Sequence, residues 1–265
     1  MAINPGVMAA SPGFFLDSFT GVKGAYSLRR ISGAEISVVR VRRDNDDAEA
    51  DFSAAEIDSG ALATWVGAGN DGLVVKLYDQ SGNDYDASET TTAYQYTIVD
   101  SGTLVTSGGF PAWDSQAHSN LDIDGISNTV YLDSWYIADA DDSTYLYPSD
   151  GSATNEFGPV ARNGNSGGNA TGSNYGSITL YVNGAATSPS DRDDTHDFLN
   201  GRKLVHHFSG SVTGWDSFQV GRYNAQGSSS YNYGGKMQAM LFFDSDQSGN
   251  RAAIDASLNS YYEIY

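Results

Sequence analysis

Apolar and polar residues alternate in many short runs along this chain, and the alternation predicts β-strands. Residues 35–43 place valine and isoleucine between polar side chains, so Arg40 and Arg42 are expected to point outward from a strand. Similar runs predict further strands at 72–78, 94–99, 121–123, 128–132, 135–138, 157–161, 177–182, 202–208, 217–221 and 236–243. Asn183-Gly184, directly after one of these runs, is the usual dipeptide of a tight β-hairpin turn.

Two segments depart from the period of two and predict helices. Ser53 and Glu56 have the spacing of a capping box, which predicts a short helix over 54–66. Between 246 and 265 the apolar residues recur at helical spacing. Many short strands separated by turn residues, followed by a short C-terminal helix, predict an all-β fold. Its expected form is a two-sheet antiparallel jelly-roll sandwich.

Length and composition support one domain of this kind. The chain has 265 residues, of which 40% are hydrophobic and 12% aromatic, enough for a sizeable core. Residues 1–18 hold two Pro-Gly pairs and the apolar patch Phe14, Phe15 and Leu16, which predicts an extended N-terminal arm before a sandwich domain over 19–265. The arm either packs on its own domain or docks on a neighbouring subunit, and both alternatives stay open.

Net charge narrows the classes of partner. The 14 basic and 33 acidic residues give a charge of −19, which repels a phosphate backbone and an anionic membrane surface alike. Nucleic-acid binding and membrane insertion are therefore not expected. The chain has no cysteine, which excludes disulfides and thiolate metal sites. Its start lacks the basic and apolar segments of a secretory signal.

One block of the sequence resembles a family of glycoside hydrolases. It consists of 25–30 (Ala-Tyr-Ser-Leu-Arg-Arg), 39–46 and 77–83 (Leu-Tyr-Asp-Gln-Ser-Gly-Asn). This block is similar to the N-terminal part of the catalytic domain of fungal and bacterial α-L-arabinofuranosidase B, and it recurs in phage tail and virion proteins. The resemblance implies a jelly-roll sandwich. No position matches the family's carboxylate pair, and the strand at 236–243 carries no acid, so the activity is not expected to carry over.

A second block resembles lectin-like domains. It consists of 178–184, 218–222 and 235–244 with the closing helix, and it is similar to laminin-G-like and concanavalin A-like domains. The segment 245–251 looks especially like the phage versions. This resemblance implies a concanavalin A-like fold, which many functions share.

The predicted ligand-binding residues are tyrosines that lie among Ser, Gly and Asn. Tyrosine in such surroundings suits adaptable recognition, and its ring stacks on sugars. The set is Tyr145, Tyr147, Tyr175, Tyr223, Tyr231 and Tyr233. Packing at the rim of the domain is the alternative.

The predicted assembly contacts combine apolar side chains with arginines. The set is Phe14, Phe15, Leu16, Arg40 and Arg42. The arginines either bind an acidic neighbour or pair internally with the acids that follow at 44–51.

Acidic motifs are abundant, but each has a structural interpretation. The segment 79–83, Asp-Gln-Ser-Gly-Asn, is expected to be a strand-ending turn in which Asp and Ser bond backbone amides, with a ligand or Ca²⁺ role as the alternative. The acidic runs at 44–47, 139–142 and 191–197 are expected to be solvated loops, and Ca²⁺ binding stays open. We predict no catalytic residue, no metal-ligand set and no cofactor.

Together these observations favour a non-enzymatic structural protein of a bacteriophage virion. Such a protein would display a lectin-like sandwich on the tail or capsid surface. Its expected partners are other virion proteins, further copies of the chain within the particle, and a host-surface glycan. The alternatives are a glycoside hydrolase of the arabinofuranosidase type and a bacterial carbohydrate-binding module.

Overall fold

A computed structural model describes most of the chain and places nineteen strands within it. The described residues are 14–33, 37–116, 119–127, 129–141, 143–144, 161–164, 166, 180–209, 211–215, 217–221 and 233–265. The strands in chain order are β1 Val22–Ser27, β2 Ser37–Arg43, β3 Glu49–Ser53, β4 Gly72–Leu77, β5 Ala87–Ser88, β6 Thr97–Asp100, β7 Thr103–Leu104, β8 Thr106–Ser107, β9 Phe110–Pro111, β10 Trp113–Asp114, β11 Leu121–Ile123, β12 Leu132–Ala140, β13 Ser143–Thr144, β14 Ala161–Arg162, β15 Leu180–Val182, β16 Ala185–Thr187, β17 Gly201–Ser209, β18 Gln219–Val220 and β19 Gly235–Phe243.

Helices are few and short. They are α1 Ala54–Asp58, α2 Ala61–Val66, α3 Arg192–Leu199 and α4 Arg251–Tyr262, with 3-10 turns at Phe15–Ser18 and Thr92–Tyr94.

The paired strands form two antiparallel layers. The first layer has the order β16-β15-β17-β12-β19, with β1 also on β19, and the second contains β3-β2-β4-β5-β11-β18. Strands β10 and β6 connect β19 to β4, so hydrogen bonds run from one layer into the other. This architecture confirms the predicted all-β sandwich with a short C-terminal helix.

The main core lies between the two layers. Tyr136 and Phe242 of the first layer pack with Val39 and Val74 of the second, and all four side chains are buried. Phe242 also packs edge-on against Phe218, with ring centroids 5.3 Å apart. The opposed inward faces of two sheets are the usual core of a sandwich.

A second core lies on the other face of the first layer, beneath α4. Trp135 and Ile137, which alternate with the inward residues of β12, pack there against Ile254 and Leu258 of the helix. The first layer is therefore covered on both faces, which explains why all nine residues of β12 except Asp139 are buried.

Several local predictions are confirmed. Ser53 Oγ accepts a hydrogen bond from the Glu56 backbone N–H, and the Glu56 carboxylate accepts one from the Ser53 backbone N–H, so α1 begins with the predicted capping box. Asn183 and Gly184 both have positive φ, 51° and 78°, as the predicted hairpin turn between β15 and β16 requires. The C-terminal helix also forms, as α4.

Three predictions need correction. The strand expected at 128–132 begins only at Leu132, where β12 starts. The acidic run at 191–197 is not a loop but helix α3, because Asp191 accepts hydrogen bonds from the backbones of Asp193 and Asp194 and so caps the helix. Of the strand expected at 157–161, only Ala161 belongs to the described residues.

Candidate functional site

The polar motif at 79–83 holds strands together. Asp79 Oδ1 accepts hydrogen bonds from the backbone N–H groups of Ala25 and Ser81, each at 2.9 Å. Gln80 accepts a bond from the Ile31 N–H at 2.9 Å and is 3% exposed. The motif thus fixes β1 and the segment after it to the end of β4, and the structural interpretation of the motif is confirmed.

A buried polar network lies between the first layer and α4. Asp133 Oδ1 and His206 Nε2 are 2.6 Å apart, and these side chains are 0% and 3% exposed. The His206 ring stacks between Trp135, at 3.9 Å, and Tyr181, at 5.4 Å. Trp135 Nε1 donates to Asp255 Oδ1 of α4 at 2.8 Å. The network is closed to solvent, so its role is to fix α4 on the sheet.

Four charged side chains form a row across four neighbouring strands, the connecting strand β10 and three strands of the first layer. Asp114 of β10 pairs with Lys236 of β19, Lys236 with Asp139 of β12, and Asp139 with Arg202 of β17. Directly paired residues of antiparallel strands point to the same face. We name these four residues the charged row. It presents two carboxylates and two cations in alternation.

Hydrogen bonds with the β8–β9 hairpin hold two side chains of the charged row in place. Ser107 Oγ donates to Asp139 Oδ2 at 2.8 Å, and Lys236 Nζ donates to the Thr106 carbonyl at 3.2 Å. Arg202 is held by the carbonyls at the C-terminal end of α4, where a cation is favourable. Within the described residues, the row contains no ion pair with N···O at or below 4.0 Å. Its carboxylates are thus not committed to salt bridges.

The two carboxyl groups of the row have different surroundings. Burial raises the pKa of Asp114 above its ordinary value, and the nearby charges of Asp141 and Asp139 add to the rise while Lys236 opposes it. Asp139 instead accepts a hydroxyl hydrogen bond and lies beside Arg202. A pair of carboxyl groups in unlike surroundings is the arrangement from which an acid and a base are made. The charged row is therefore our candidate site.

Most of the tyrosines predicted to bind a ligand lie outside the described residues. These are Tyr145, Tyr147, Tyr175, Tyr223 and Tyr231. The sixth, Tyr233, is 1% exposed, and its hydroxyl donates to the Lys236 carbonyl at 2.5 Å. It is a core residue behind the charged row and presents no ring to solvent, so it does not belong to an exposed recognition surface.

The predicted assembly arginines are paired within the chain. Arg40 contacts Asp51 at 2.7 Å, and Arg42 contacts Asp47 at 2.6 Å. Arg42 was expected to point into solvent, yet it is 8% exposed because Gln95 also accepts a hydrogen bond from its guanidinium. Internal pairing, one of the two alternatives from the sequence, is thus present.

The predicted arm ends in the apolar patch Phe14, Phe15 and Leu16, and this end of the arm lies against the sandwich domain. Phe15 is 8% exposed and belongs to the second core beneath α4, where Leu16 and Phe19 also pack. Phe14 is partly buried, with the Arg30 guanidinium 4.3 Å from its ring centroid. Residues 1–13 lie outside the described residues. Docking of the arm on another subunit stays a prediction.

The described residues contain neither a metal-binding cluster nor a membrane-spanning helix. Groups of three or more His, Asp or Glu side chains suited to a metal ion are absent from the described part of the chain. In the same part of the chain, none of the helices has the length and hydrophobicity needed to span a bilayer.

Sequence reasoning missed the charged row because its members are far apart in the chain. Asp139 was assigned to an acidic loop and Asp114 was not singled out at all. A partial signal was present: Lys236 begins the strand predicted at 236–243, which carries no acid of its own. Which acids flank it depends on the register of two strand pairs, β10–β19 and β12–β19, and the sequence alone does not determine that register.

Comparisons with known proteins gave matches only among solved structures. No protein-family model matches the chain, and no curated protein matches it. The chain is similar to a GH54 α-L-arabinofuranosidase soaked with a cyclic sulfate inhibitor, at a TM-score of 0.46 and 12% identity over 92% of this chain. It is also similar to an arabinofuranosidase complexed with arabinofuranosyl-α-1,2-xylobiose, at a TM-score of 0.46 and 15% identity over 89% of this chain. The match spans 62% of the length of each of these proteins.

These matches correct part of the functional prediction. The sequence predicted a protein that is not an enzyme, and the matching solved structures contradict that prediction because they are arabinofuranosidases. The arabinofuranosidase part of the sequence resemblance recurs among them, whereas none of the comparisons supports the laminin-G-like part or a virion role. A likeness at this TM-score assigns no activity to this chain.

Proposed function

We propose that this chain is a glycoside hydrolase in which Asp114 is the general acid and Asp139 the general base. The observation that carries the proposal is the charged row, which places two carboxyl groups with unlike surroundings on one face of the sheet, two strands apart. Hydrolysis of a glycosidic bond by water needs such a pair.

Each carboxyl group suits a different step. Asp114 retains its proton to a higher pH than an ordinary aspartate because burial raises its pKa, so it can protonate the leaving oxygen of the glycosidic bond. Asp139 takes the proton from the attacking water. Ser107 donates to Asp139 Oδ2 and thereby fixes the orientation of that carboxylate. Lys236 and Arg202 are the register neighbours of Asp139 on the two adjacent strands.

Strand spacing suggests the stereochemical course. Adjacent strands lie about 4.8 Å apart, so the backbones of Asp114 and Asp139 are separated by roughly 9–10 Å. Inverting glycosidases hold their carboxyl groups about 6.5–9.5 Å apart to admit a water molecule, whereas retaining enzymes hold them about 5 Å apart. We therefore expect inversion, which proton NMR of the first-formed product anomer would show.

The proposal is tested by measuring sugar release from a panel of aryl glycosides and plant and microbial polysaccharides. On a substrate that the wild-type chain cleaves, we expect Asp114→Asn and Asp139→Asn each to lower kcat by about 10²–10⁴-fold. Asp124→Asn, in an exposed turn of the second layer, is the matched control. Absence of turnover on the whole panel, or full turnover by both row variants, contradicts the proposal.

A second candidate function is glycan binding on the outer face of the second layer. Six polar residues are consecutive register partners across its six strands: Asp51, Arg40, Lys76, Ser88, Asp122 and Gln219. Such a row offers hydrogen-bond donors and acceptors along the length of an extended sugar chain. Glycan-array binding that survives Asp114→Asn and is lost in Lys76→Met would favour this function. Placement in a virion, assembly with copies of the chain, and adhesion to a host glycan stay predictions.

A further inference from the structure

Gln238 of β19 is a buried polar residue close to the charged row. It follows Lys236 by two positions, and it is 1% exposed. The register of β12 against β19 shifts between Met237 and Ala239, so Gln238 has no partner on β12. An extra residue of this kind forms a β-bulge, which redirects a side chain and often lies next to an active site.

The side-chain amide of Gln238 joins the β8–β9 hairpin to the first layer. Its Nε2 donates to the carbonyls of Ser107 and Phe110, both at 3.1 Å, and to the carbonyl of Pro111 at 3.3 Å. Its Oε1 accepts a hydrogen bond from Arg202 Nε at 2.8 Å. One buried amide therefore contacts both strands of the hairpin and also β17.

Side chains, and not a backbone ladder, place the hairpin on the first layer. Strands β8 and β9 pair with each other in a two-stranded sheet that is separate from the large sheet. Among the described residues, the hydrogen bonds between this hairpin and the first layer all involve a side chain. Gln238 makes three of these five bonds, so the position of the hairpin depends chiefly on this residue.

The turn of the hairpin packs closely on Arg202. Gly108 and Gly109 form this turn, with φ of 56° and 86°. A Cβ atom at Gly108 would lie 2.8 Å from the guanidinium carbon of Arg202, well inside the ~3.5–4.0 Å of a favourable carbon contact. The Arg202 side chain that bonds Gln238 is thus also the surface on which the turn rests.

We propose that Gln238 is a positioning residue for Asp139, because it holds the β8–β9 hairpin where Ser107 can bond that carboxylate. The inference rests on the proposed glycoside hydrolase function, in which Asp139 is the general base. Ser107 is 4% exposed, and its Oγ donates to Asp139 Oδ2 at 2.8 Å. A misplacement of about 1 Å can lower a rate by about 10²-fold. Gln238 therefore acts on the reaction through Ser107, without a contact with substrate.

The kinetic test compares Gln238→Met with Gln247→Met on a glycoside that the wild-type chain cleaves. Methionine is close to glutamine in size and removes the amide group. Gln247 is the matched control, because it is 3% exposed and its amide also donates to a backbone carbonyl, that of Thr20. We expect Gln238→Met to lower kcat by about 10- to 100-fold with KM within about twofold, and Gln247→Met to leave kcat unchanged.

A double-mutant cycle separates positioning from a general loss of stability. Ser107→Ala removes the hydrogen bond to Asp139 and should lower kcat by about tenfold or more. Because Gln238→Met is expected to break the same contact, kcat of the double variant should lie within about threefold of that of the slower single variant. A purely structural role of Gln238 would make the two effects multiply.

A second variant disturbs the hairpin from its exposed side, in case Gln238→Met does not fold. Gly108 is exposed, so Gly108→Ala keeps Gln238 and changes no core residue. Its added Cβ must displace the turn from Arg202. We expect kcat to fall by about tenfold or more in a chain that still unfolds cooperatively.

Crystal structures of the wild type and of both hairpin variants, Gln238→Met and Gly108→Ala, need no turnover. We expect Ser107 Oγ and Asp139 Oδ2 to be more than about 3.5 Å apart in the variants and hydrogen-bonded in the wild type. If no glycoside is cleaved, the proposed function fails, and these distances alone test whether Gln238 positions Ser107.

Three results would overturn the inference. The first is a hydrogen bond between Ser107 and Asp139 that persists in both hairpin variants. The second is a kcat of Gln238→Met no lower than that of Gln247→Met. The third is a double variant in which the effects of Gln238→Met and Ser107→Ala multiply. Each of these can occur while Asp114 and Asp139 remain essential for turnover, so the positioning inference can fail alone.

Discussion

At the scale of single residues, the burial of Asp255 makes the stability of the folded chain depend on pH. Burial raises the pKa of Asp255 above its ordinary value of 3.8, and the hydrogen bond from Trp135 and the charges of His206 and Arg251 only partly offset the rise. The folded chain therefore binds this proton more tightly than the unfolded chain. The contribution of Asp255 to stability is fully present below the ordinary pKa and is lost as the pH rises through the raised pKa.

We predict that Asp255→Asn removes this loss. Asparagine can still accept the bond from Trp135 Nε1, but it carries no charge to desolvate. The free energy of unfolding of the variant, measured by urea denaturation from acidic to neutral pH, should fall less across this range than that of the wild type. Asp124→Asn, in an exposed turn, is the control. An unchanged pH dependence would show that Asp255 is not the titrating group.

Loss of the buried contact between Asp133 and His206 should lower the free energy of unfolding strongly. Asp133 Oδ2 also accepts the backbone N–H of Gln247 at 3.1 Å, so its loss leaves two buried donors unpaired. We predict that Asp133→Ala lowers the free energy of unfolding by about 3–5 kcal/mol, and Asp133→Asn by less because an acceptor remains. Urea denaturation measures both. A loss below about 1 kcal/mol, the value of an exposed pair, would show that the network adds little.

At the scale of elements, the 3-10 turn at Phe15–Ser18 tests the boundary of the predicted arm. Phe15 packs in the second core with α4, and its ring lies 5.1 Å from that of Phe19. We predict that Phe15→Ala costs about 3 kcal/mol of stability, the lower end for a buried phenylalanine. Phe14→Ala, a partly buried neighbour, should cost much less. If both substitutions cost equally little stability, the whole segment 14–18 belongs to the arm.

Elements whose ends are set by local chemistry could be predicted from the sequence. The capping box of Ser53 and Glu56, the Asn183-Gly184 turn and the turn at 79–83 depend on neighbours within a few residues, and all three form. Helix α3 was missed because its acids lower helix propensity, while the capping bonds that Asp191 makes offset this cost. Local composition thus predicted a loop where the capping residue Asp191 stabilises a helix.

At the scale of the whole molecule, strand pairing determines which side chains share a face. The charged row brings together Asp114, Asp139, Arg202 and Lys236 from four strands, and their order in space differs from their order in the chain. Alternation within one strand predicts its inward and outward residues. It does not specify the neighbouring strand or the register, so the sandwich could be predicted but the site could not.

The net charge of −19 acts on the whole molecule as well. Like charges on the surface repel one another, and dissolved salt screens that repulsion. We predict that the Tm rises as ionic strength increases from about 0.01 M to about 0.5 M. Differential scanning calorimetry measures the change, and a Tm that falls over this range would show that attractive pairs such as Arg40–Asp51 outweigh the repulsion.

The most direct test of the proposed function is the pH dependence of kcat/KM on a cleaved glycoside, for the wild type and for Asp114→Asn. If Asp114 is the general acid, wild-type kcat/KM falls as the pH rises through the raised pKa of Asp114, because the group loses the proton that it must donate. For Asp114→Asn we expect this fall at alkaline pH to be absent and kcat/KM to be low at every pH. A variant that keeps the wild-type rate and the wild-type alkaline limb would contradict the assignment of this site.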